Sequence, residues 1–140
     1  MITKLFSSRL IFVVFAFSIF LFSCSKKESA EKHFKKGLKL YISDSLDQAI
    51  VEYKKALEID STLVKAYLNL GAAYTKKGEY DSAISSFKNV LSYNPYDIKT
   101  HYNLGKVYSI KNDTAKVLEE ADFLKKLGSS LGDSLKKLVQ

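Results

Sequence analysis

Three glycines recur at one constant interval along the chain, at Gly37, Gly71 and Gly105. The residues around them recur at the same offsets, which indicates three copies of one unit. Each copy contains an apolar-periodic segment of about fourteen residues, a turn, and a second such segment, which is the pattern of a helical hairpin. The repeat therefore predicts an all-α fold built from three stacked hairpins.

The interior of each predicted hairpin pairs a small residue with a large one. Glycine inside a helix costs about 1 kcal/mol relative to alanine, so three glycines at one phase of the repeat indicate close helix packing. In the second segments, Ala49 and Ala83 supply a facing small position, and Tyr53 and Phe87 supply a large one on the next helical turn. We expect these large side chains to fill the space beside the glycines.

The middle copy is the most specific. It reads Tyr67-x-x-Leu70-Gly71-x-x-Tyr74, then Ala83-x-x-x-Phe87, then Pro95. This pattern resembles the tetratricopeptide repeat, with Tyr in place of its usual Trp. The resemblance implies an all-α, right-handed solenoid. The residues on either side of the repeats predict a signal segment before it and a capping helix after it. The expected hairpins are residues 30–63, 64–97 and 98–128, and the cap is residues 129–140.

The third copy departs from the other two. Val117 stands at the small position and Ala121 at the large one, so we expect the two sizes to be exchanged, with Leu124 and Leu127 keeping the total volume nearly constant. After Gly128, leucines recur on one face of a last amphipathic segment. Such a helix covers the apolar end of a repeat stack.

Turns and breaks are well marked. Residues that tolerate left-handed backbone or cap the next helix separate the two segments of each copy. Asp60-Ser61 and Asn94-Pro95 mark the ends of the first and second copies. The turns within the copies are Ser43-Asp44-Ser45, Lys77-Gly78-Glu79 and Lys111-Asn112-Asp113.

Residues 1–23 have a different composition. Lys4 and Arg9 precede an apolar run from Leu10 to Phe22 that is interrupted only by Ser18, which is typical of a secretory signal. The stretch between Arg9 and Lys26 is shorter than the roughly 20 apolar residues that a membrane-spanning helix needs. A spanning helix is therefore the poorer interpretation.

The run ends in Leu21-Phe22-Ser23-Cys24, which resembles the lipobox of bacterial lipoproteins, although Phe22 stands where that family usually has a small or β-branched residue. The resemblance implies that Cys24 is the lipidated first residue of the mature chain, followed by a polar tether at residues 24–29. Several acyl chains would anchor the protein stably. The lipobox resemblance also implies that the protein is located in the bacterial cell envelope and faces the periplasm, and Ser25 favours the outer membrane. An ordinary signal peptide or an uncleaved anchor is the alternative.

The charge is moderately positive. Of 22 basic residues, Lys4 and Arg9 lie in the leader, so the processed chain carries 20 basic and 15 acidic residues, a net charge of +5. All basic residues except Arg9 are lysines, which suit a solvated helix face better than bidentate phosphate recognition. We therefore do not expect nucleic acid binding.

The family resemblance implies a concave wall, made by the first helix of each hairpin, that binds a peptide or a partner's helix. Asn69 and Asn103 correspond to asparagines that hydrogen-bond a peptide backbone in some members, and Lys35 replaces them in the first copy. An acidic peptide or a terminal carboxylate is favoured by the lysines beside this wall. The candidate binding residues are Lys35, Lys65, Asn69, Lys99, Asn103 and Lys106. The alternative is that the asparagines are ordinary consensus residues and the lysines a solubilising face.

The first copy differs from members that clamp a carboxylate. Those members carry Lys and Asn in their first repeat, at the positions of Phe34 and Leu38 in this chain. With Tyr41 and Ile42, these residues predict an apolar surface, which is either a patch for a partner or the seat of the amino-terminal segment.

No constellation of residues indicates catalysis, a cofactor or a metal site. His33 and His101 occupy the position of Tyr67 in their copies, so we interpret them as packing residues. The sequence favours a lipid-anchored adaptor that binds proteins at the cell envelope. The alternatives are a regulatory or substrate-recruiting subunit of an envelope enzyme and a binder of anionic polymers.

Overall fold

A computed structural model describes residues 26–140, and this part of the chain is helical without strands. The first helix, α1, occupies residues 26–42. The others are α2 (Leu46–Ile59), α3 (Val64–Lys77), α4 (Tyr80–Tyr93), α5 (Ile98–Ile110), α6 (Thr114–Lys126) and α7 (Leu131–Lys136). The predicted signal segment and Cys24 lie outside the described residues.

Consecutive helices pack against each other to form a solenoid, as predicted. α3 contacts both α2 and α4, α5 contacts both α4 and α6, and α7 packs on α6 and α5. Residues 26–29, the described part of the expected tether, are helical and form the first turn of α1. Among residues 26–140, no helix combines the length and the apolar character that crossing a bilayer requires.

The turns inside the hairpins have the predicted left-handed residues. Asp44, Gly78 and Asn112 have φ values of 61°, 85° and 57°. Asp113 then caps α6 by accepting a hydrogen bond from the Lys116 amide at 3.2 Å. The short polar segments therefore fix where each hairpin reverses.

The first two glycines pack against aromatic rings, as the sequence predicts. A methyl group on Gly37 or Gly71 would lie 2.6 Å from the ring of Tyr53 or Phe87, respectively, closer than van der Waals contact allows. Both rings are buried, with exposed fractions of 0% and 1%. Only glycine lets the two helices of these hairpins approach this closely.

The third hairpin fills its glycine position from a different helix. Leu135 of α7, which is fully buried, occupies the space beside Gly105 that Tyr53 and Phe87 fill in the other hairpins. Ala121 stands at the aromatic position of α6, and its carbonyl oxygen lies against Gly132 of α7. The sequence predicted an exchange of volume within this hairpin, but α7 supplies the large residue because small Ala121 and Gly132 let it approach.

Two ion pairs join neighbouring hairpins at the same repeat positions. Asp47 contacts Lys77 at 2.6 Å, and Asp81 contacts Lys111, each residue lying one repeat period after its counterpart in the first pair. The pattern stops at both ends, since Ser43 stands one period before Lys77 and Ala115 one period after Asp81. We call these two pairs the inter-repeat ion pairs.

Candidate groove recess and two histidine–glutamate pairs

All three hairpins contribute to one recess of about 230 Å³, which we call the groove recess. Its wall is formed mainly by the first helices of the hairpins, α1, α3 and α5, and the ring of Phe87 also contributes. The lining residues are Tyr41, Ala72, Thr75, Lys76, Phe87, Asn103 and Lys106. Because these helices line one cavity, a ligand in it would contact every hairpin.

A single small side chain opens the groove recess. Ala72 is equivalent in the repeat to Leu38, one period earlier, and to Lys106, one period later. Both of those side chains are long, and Leu38 packs against the core of the first hairpin. The cavity therefore occurs at the middle repeat, where Ala72 and Phe87 both line it.

The structure separates the two candidate asparagines. Asn103 lines the groove recess together with Lys106. The amide nitrogen of Asn69 instead donates a hydrogen bond to the backbone carbonyl of Lys65 at 2.8 Å. In this arrangement one donor of Asn69 is satisfied by its own helix, whereas Asn103 faces the cavity.

The candidate lysines differ in how far they are neutralised. Lys65 forms an ion pair with Glu31 at 2.6 Å, and its ammonium lies 4.7 Å from the centre of the Phe34 ring. Within residues 26–140, no ion pair joins Lys35, Lys99 or Lys106 to a carboxylate. Of these three, only Lys106 of α5 lines the groove recess, whereas Lys35 of α1 lines a separate cavity with Lys32, Lys36 and Lys39.

Tyr41, which the sequence assigned to an apolar surface of the first hairpin, also lines the groove recess. The lining residues that the sequence analysis did not name as candidates for binding are Ala72, Thr75, Lys76 and Phe87. Lys76 forms an ion pair with Asp44 at 2.6 Å, and its ammonium lies 5.5 Å from the centre of the Tyr41 ring. One repeat period relates Tyr41 to Thr75 and Ala72 to Lys106. A search of the sequence that included the next helical turn after each candidate position would have found the lining residues of α1 and α3.

The two histidines form buried or partly buried pairs with glutamates. His33 contacts Glu52 at 2.7 Å through Nδ1, and His101 contacts Glu120 at 2.6 Å in the same way. The two partners of each pair are separated by 19 residues in the sequence. Tyr67 and Ser86 occupy the equivalent positions in the middle hairpin. The sequence analysis identified packing residues here and missed the glutamates, although they are spaced by two repeat periods like the histidines.

The surroundings move the pKa values of the two glutamates in opposite directions. Hydrogen bonds from His33, which has the largest effect, and from Lys36 and Lys55 together lower the pKa of Glu52 to about 2, against the effect of burial. Burial raises the pKa of Glu120, although His101 opposes this change. Neither pair lies in the groove, and no group of three metal-ligating side chains occurs within residues 26–140.

Sequence comparisons agree with the helical geometry. A family model described as TPR repeat matches residues 37–78, and one described as tetratricopeptide repeat matches residues 64–97. Residues 37–97 of this chain are tetratricopeptide repeats. No curated protein sequence matches the chain significantly.

Solved tetratricopeptide-repeat domains have the same fold. The Arabidopsis OM64 TPR domain has a TM-score of 0.73 and 15% identity, over 81% of this chain and 96% of that domain. The N-terminal domain of stress-induced protein-1 from C. elegans gives 0.74 and 18%, over 82% and 98%. The first TPR of Spaghetti (RPAP3), bound to the HSP90 peptide SRMEEVD, gives 0.71 and 18%, over 80% and 91%.

Proposed function

We propose that this protein is a lipid-anchored tetratricopeptide-repeat adaptor of the bacterial cell envelope. It binds an acidic segment of a partner protein along the groove formed by α1, α3 and α5 and so helps to assemble or localise a complex. The observation that carries this proposal is the groove recess, because all three hairpins line it. The proposed role is binding rather than catalysis.

The chemistry of the recess suits a polypeptide ligand. The side chain of Asn103 offers both a donor and an acceptor, which match the carbonyl and amide of an extended backbone. Lys106, beside it, offers an ammonium group that is not paired with a carboxylate of residues 26–140. Acidic side chains of a partner would complement this charge.

The RPAP3 domain supports a peptide ligand by analogy of fold, since that domain is bound to the HSP90 peptide SRMEEVD. This chain differs in its first hairpin, where buried Phe34 and half-buried Leu38 replace the polar pair expected for a carboxylate clamp. An internal acidic segment therefore fits this groove better than a terminal carboxylate.

Crosslinking in cells, followed by identification of the captured proteins, tests the groove. We expect the double variant Asn103→Ala/Lys106→Ala to lose its partner, because both side chains line the recess. The matched control is Asn89→Ala/Lys137→Ala, at two exposed positions outside the recess. An unchanged set of partners in the groove variant, with normal protein abundance, would refute the groove as the binding surface. Capture of one envelope enzyme alone would favour the regulatory-subunit alternative.

The anchor is tested separately by metabolic labelling with a clickable fatty acid. We expect the unaltered chain to be labelled and the Cys24→Ser variant to carry no label. Label on both proteins would show that lipid is attached elsewhere, or not through this cysteine.

A further inference from the structure

The outer face of α1 is cationic at positions that are buried in the other hairpins. Lys32, Lys36 and Lys39 lie on one face of the helix, at spacings of four and three positions, and all three are exposed. Their equivalents in α3 are Ala66, Leu70 and Ala73, with exposed fractions of 0%, 6% and 0%. Their equivalents in α5 are Thr100, Leu104 and Val107, none more than 1% exposed. We call the surface of these lysines the end face.

The charges of the end face are only partly compensated. Glu52 of α2 contacts Lys36 at 3.0 Å and Lys55 at 3.2 Å, so one carboxylate serves two ammonium groups as well as His33. Within residues 26–140, no ion pair joins Lys32 or Lys39 to a carboxylate. The cavity that these lysines line also includes Lys35, Glu28 and Glu31, so four lysines face two carboxylates there and the surface retains an excess of positive charge.

A preceding repeat does not fit this surface. It would bury Lys32, Lys36 and Lys39 in the way that the stack buries their equivalents, and an unpaired buried ammonium is strongly unfavourable. The inter-repeat ion pairs also end here, because Ser43 replaces the lysine found at positions 77 and 111. The end face is thus built to meet a polar, anionic environment.

We propose that the end face lies against the headgroups of an anionic phospholipid bilayer and orients the solenoid on the membrane. This inference rests on the proposed lipid anchor, since Cys24 precedes the first described residue of α1 by two positions. Charge complementarity selects the surface, because the ammonium groups match lipid phosphates. Beside Lys36, half-buried Leu40 and Val51, which is 49% exposed, line one cavity with Asp47, Gln48 and Glu52, so the edge of the face is partly apolar.

Membrane electrostatics set the size of the expected effect. Each lysine held near an anionic bilayer raises membrane partitioning roughly fivefold. The interaction is also screened within about 4 to 5 Å at 0.5 M salt. A face with several lysines therefore gives an orientation that depends on lipid charge and on salt, whereas an acyl anchor depends on neither.

Lysine acetylation footprinting of the membrane-extracted full protein tests the proposal. The protein is reconstituted in vesicles of phosphatidylcholine alone or with about 30% phosphatidylglycerol, which supplies a negative surface potential, and acetylation by a water-soluble reagent is followed by mass spectrometry. We expect Lys32, Lys36 and Lys39 to react at least about threefold more slowly on the anionic vesicles, with Lys88 and Lys137 unchanged. Salt at about 0.5 M should remove the difference. Equal protection of all five lysines, or of none, overturns the proposal.

A charge-reversal pair supplies the matched control. Lys32→Glu/Lys39→Glu alters two end-face lysines without an ion pair to residues 26–140, and Lys88→Glu/Lys137→Glu makes the same change of charge at exposed positions elsewhere. We expect the first variant to lose the lipid-dependent protection of Lys36 and the second to keep it. Circular dichroism verifies that both remain helical. Loss in both variants would show a general charge effect and refute a defined face.

Flotation separates this proposal from the anchor on which it rests. Flotation with neutral vesicles but without end-face protection on anionic ones would leave the anchor standing and overturn the orientation. Flotation only with anionic vesicles, with the end face protected, would overturn the anchor and support the face.

Discussion

The first and third hairpins have equivalent histidine–glutamate pairs, but their outer faces differ. At the first hairpin, Glu52 receives His33 and two lysines, and the outer face remains charged. At the third hairpin the histidine is the more enclosed of the two, since the His101 side chain is 11% exposed and that of His33 is 32% exposed. Nε2 of His101 also reaches the Pro95 carbonyl oxygen at 2.9 Å. The outer face of the first hairpin is therefore charged and exposed, whereas an additional helix, α7, covers the third hairpin.

The glycine positions differ in the same way. Gly37 is covered by Tyr53 from its own hairpin, so its packing is local. Gly105 is covered by Leu135, which lies beyond the third hairpin in a helix of 6 residues. The carboxyl-terminal end therefore depends on a short element that has little stability of its own.

The largest expected effect is the loss of the contact between Leu135 and Gly105. Leu135→Ala removes a fully buried side chain, so we expect the free energy of unfolding to fall by about 2 to 5 kcal/mol. Leu138→Ala, at a position 50% exposed, is the control and should change it by less than about 0.5 kcal/mol. Urea denaturation measures both. Equal values for the two variants would mean that α7 does not close the third hairpin.

Substituting the glycines tests whether the local contact is the more rigid one. In Gly37→Ala, the new methyl group meets ring atoms of Tyr53 at 2.6 and 2.7 Å and the Ala49 carbonyl oxygen at 3.3 Å. We expect a loss of about 1 to 3 kcal/mol, reduced by the better helix propensity of alanine. In Gly105→Ala the conflict is with the flexible end of Leu135, so the loss should be smaller. Urea denaturation of both variants gives the two values.

A double-mutant cycle tests whether Leu135 is the residue that conflicts with a side chain at position 105. In the Leu135→Ala background, Gly105→Ala should be neutral or stabilising because the conflicting side chain is gone. If Gly105→Ala costs the same in both backgrounds, Leu135 is not the residue that requires this glycine.

The sequence predicted most of the fold because the same pairing of a glycine with an aromatic residue occurs in the first two hairpins and changes only in the third. The spacing of Gly37 and Gly71 from Tyr53 and Phe87 is a local pattern, and the structure confirms it. The partner of Gly105 could not be predicted in this way, since Leu135 lies outside the repeat period and acts through tertiary contact. The last leucines indicated a cap but did not show which of them would enter the core.

The candidate site was less predictable than the fold. Asn103 and Lys106 line the recess, but the bond from Asn69 to its own helix depends on a rotamer that the sequence does not specify. The short side chain of Ala72 can be read from its long repeat equivalents, Leu38 and Lys106, but the contribution of Phe87 to the same cavity depends on how α4 packs against α3. Pairing of Lys65 with Glu31 is likewise a contact between hairpins rather than a motif.

The glutamates should give opposite pH dependences. The folded-state pKa of Glu52, about 2, lies below its ordinary value of 4.5, so its stabilisation is present above pH 4.5 and is lost as the pH falls towards 2. Glu52→Gln should therefore lower stability at pH 7 by about 1 to 3 kcal/mol, and by progressively less below pH 4.5. The measurement is the urea midpoint of the variant and the unaltered chain across this range.

Glu120→Gln should behave in the opposite sense. Because burial raises the pKa of Glu120, the stabilisation linked to its protonation is present below pH 4.5 and is lost as the pH rises through the folded-state pKa. The variant should therefore become less stable relative to the unaltered chain as the pH falls. Parallel pH profiles for the two variants would contradict the different surroundings of the two pairs.

The smallest expected effect concerns the inter-repeat ion pairs, which stop at both ends of the stack. Asp81 is 88% exposed, so Asp81→Asn should lower the free energy of unfolding by no more than about 0.5 kcal/mol, and salt should remove the difference. Glu58→Gln, which removes an exposed charge outside these pairs, is the control in the same urea titrations. Ala115→Asp, which extends the pattern beyond its last lysine, should give no gain because α7, and not a hairpin with a lysine at the matching position, packs on α6 and α5. A gain from Ala115→Asp that salt abolishes would show that a cation lies beyond the third hairpin, and that this end is less completely closed than the contact between Leu135 and Gly105 indicates.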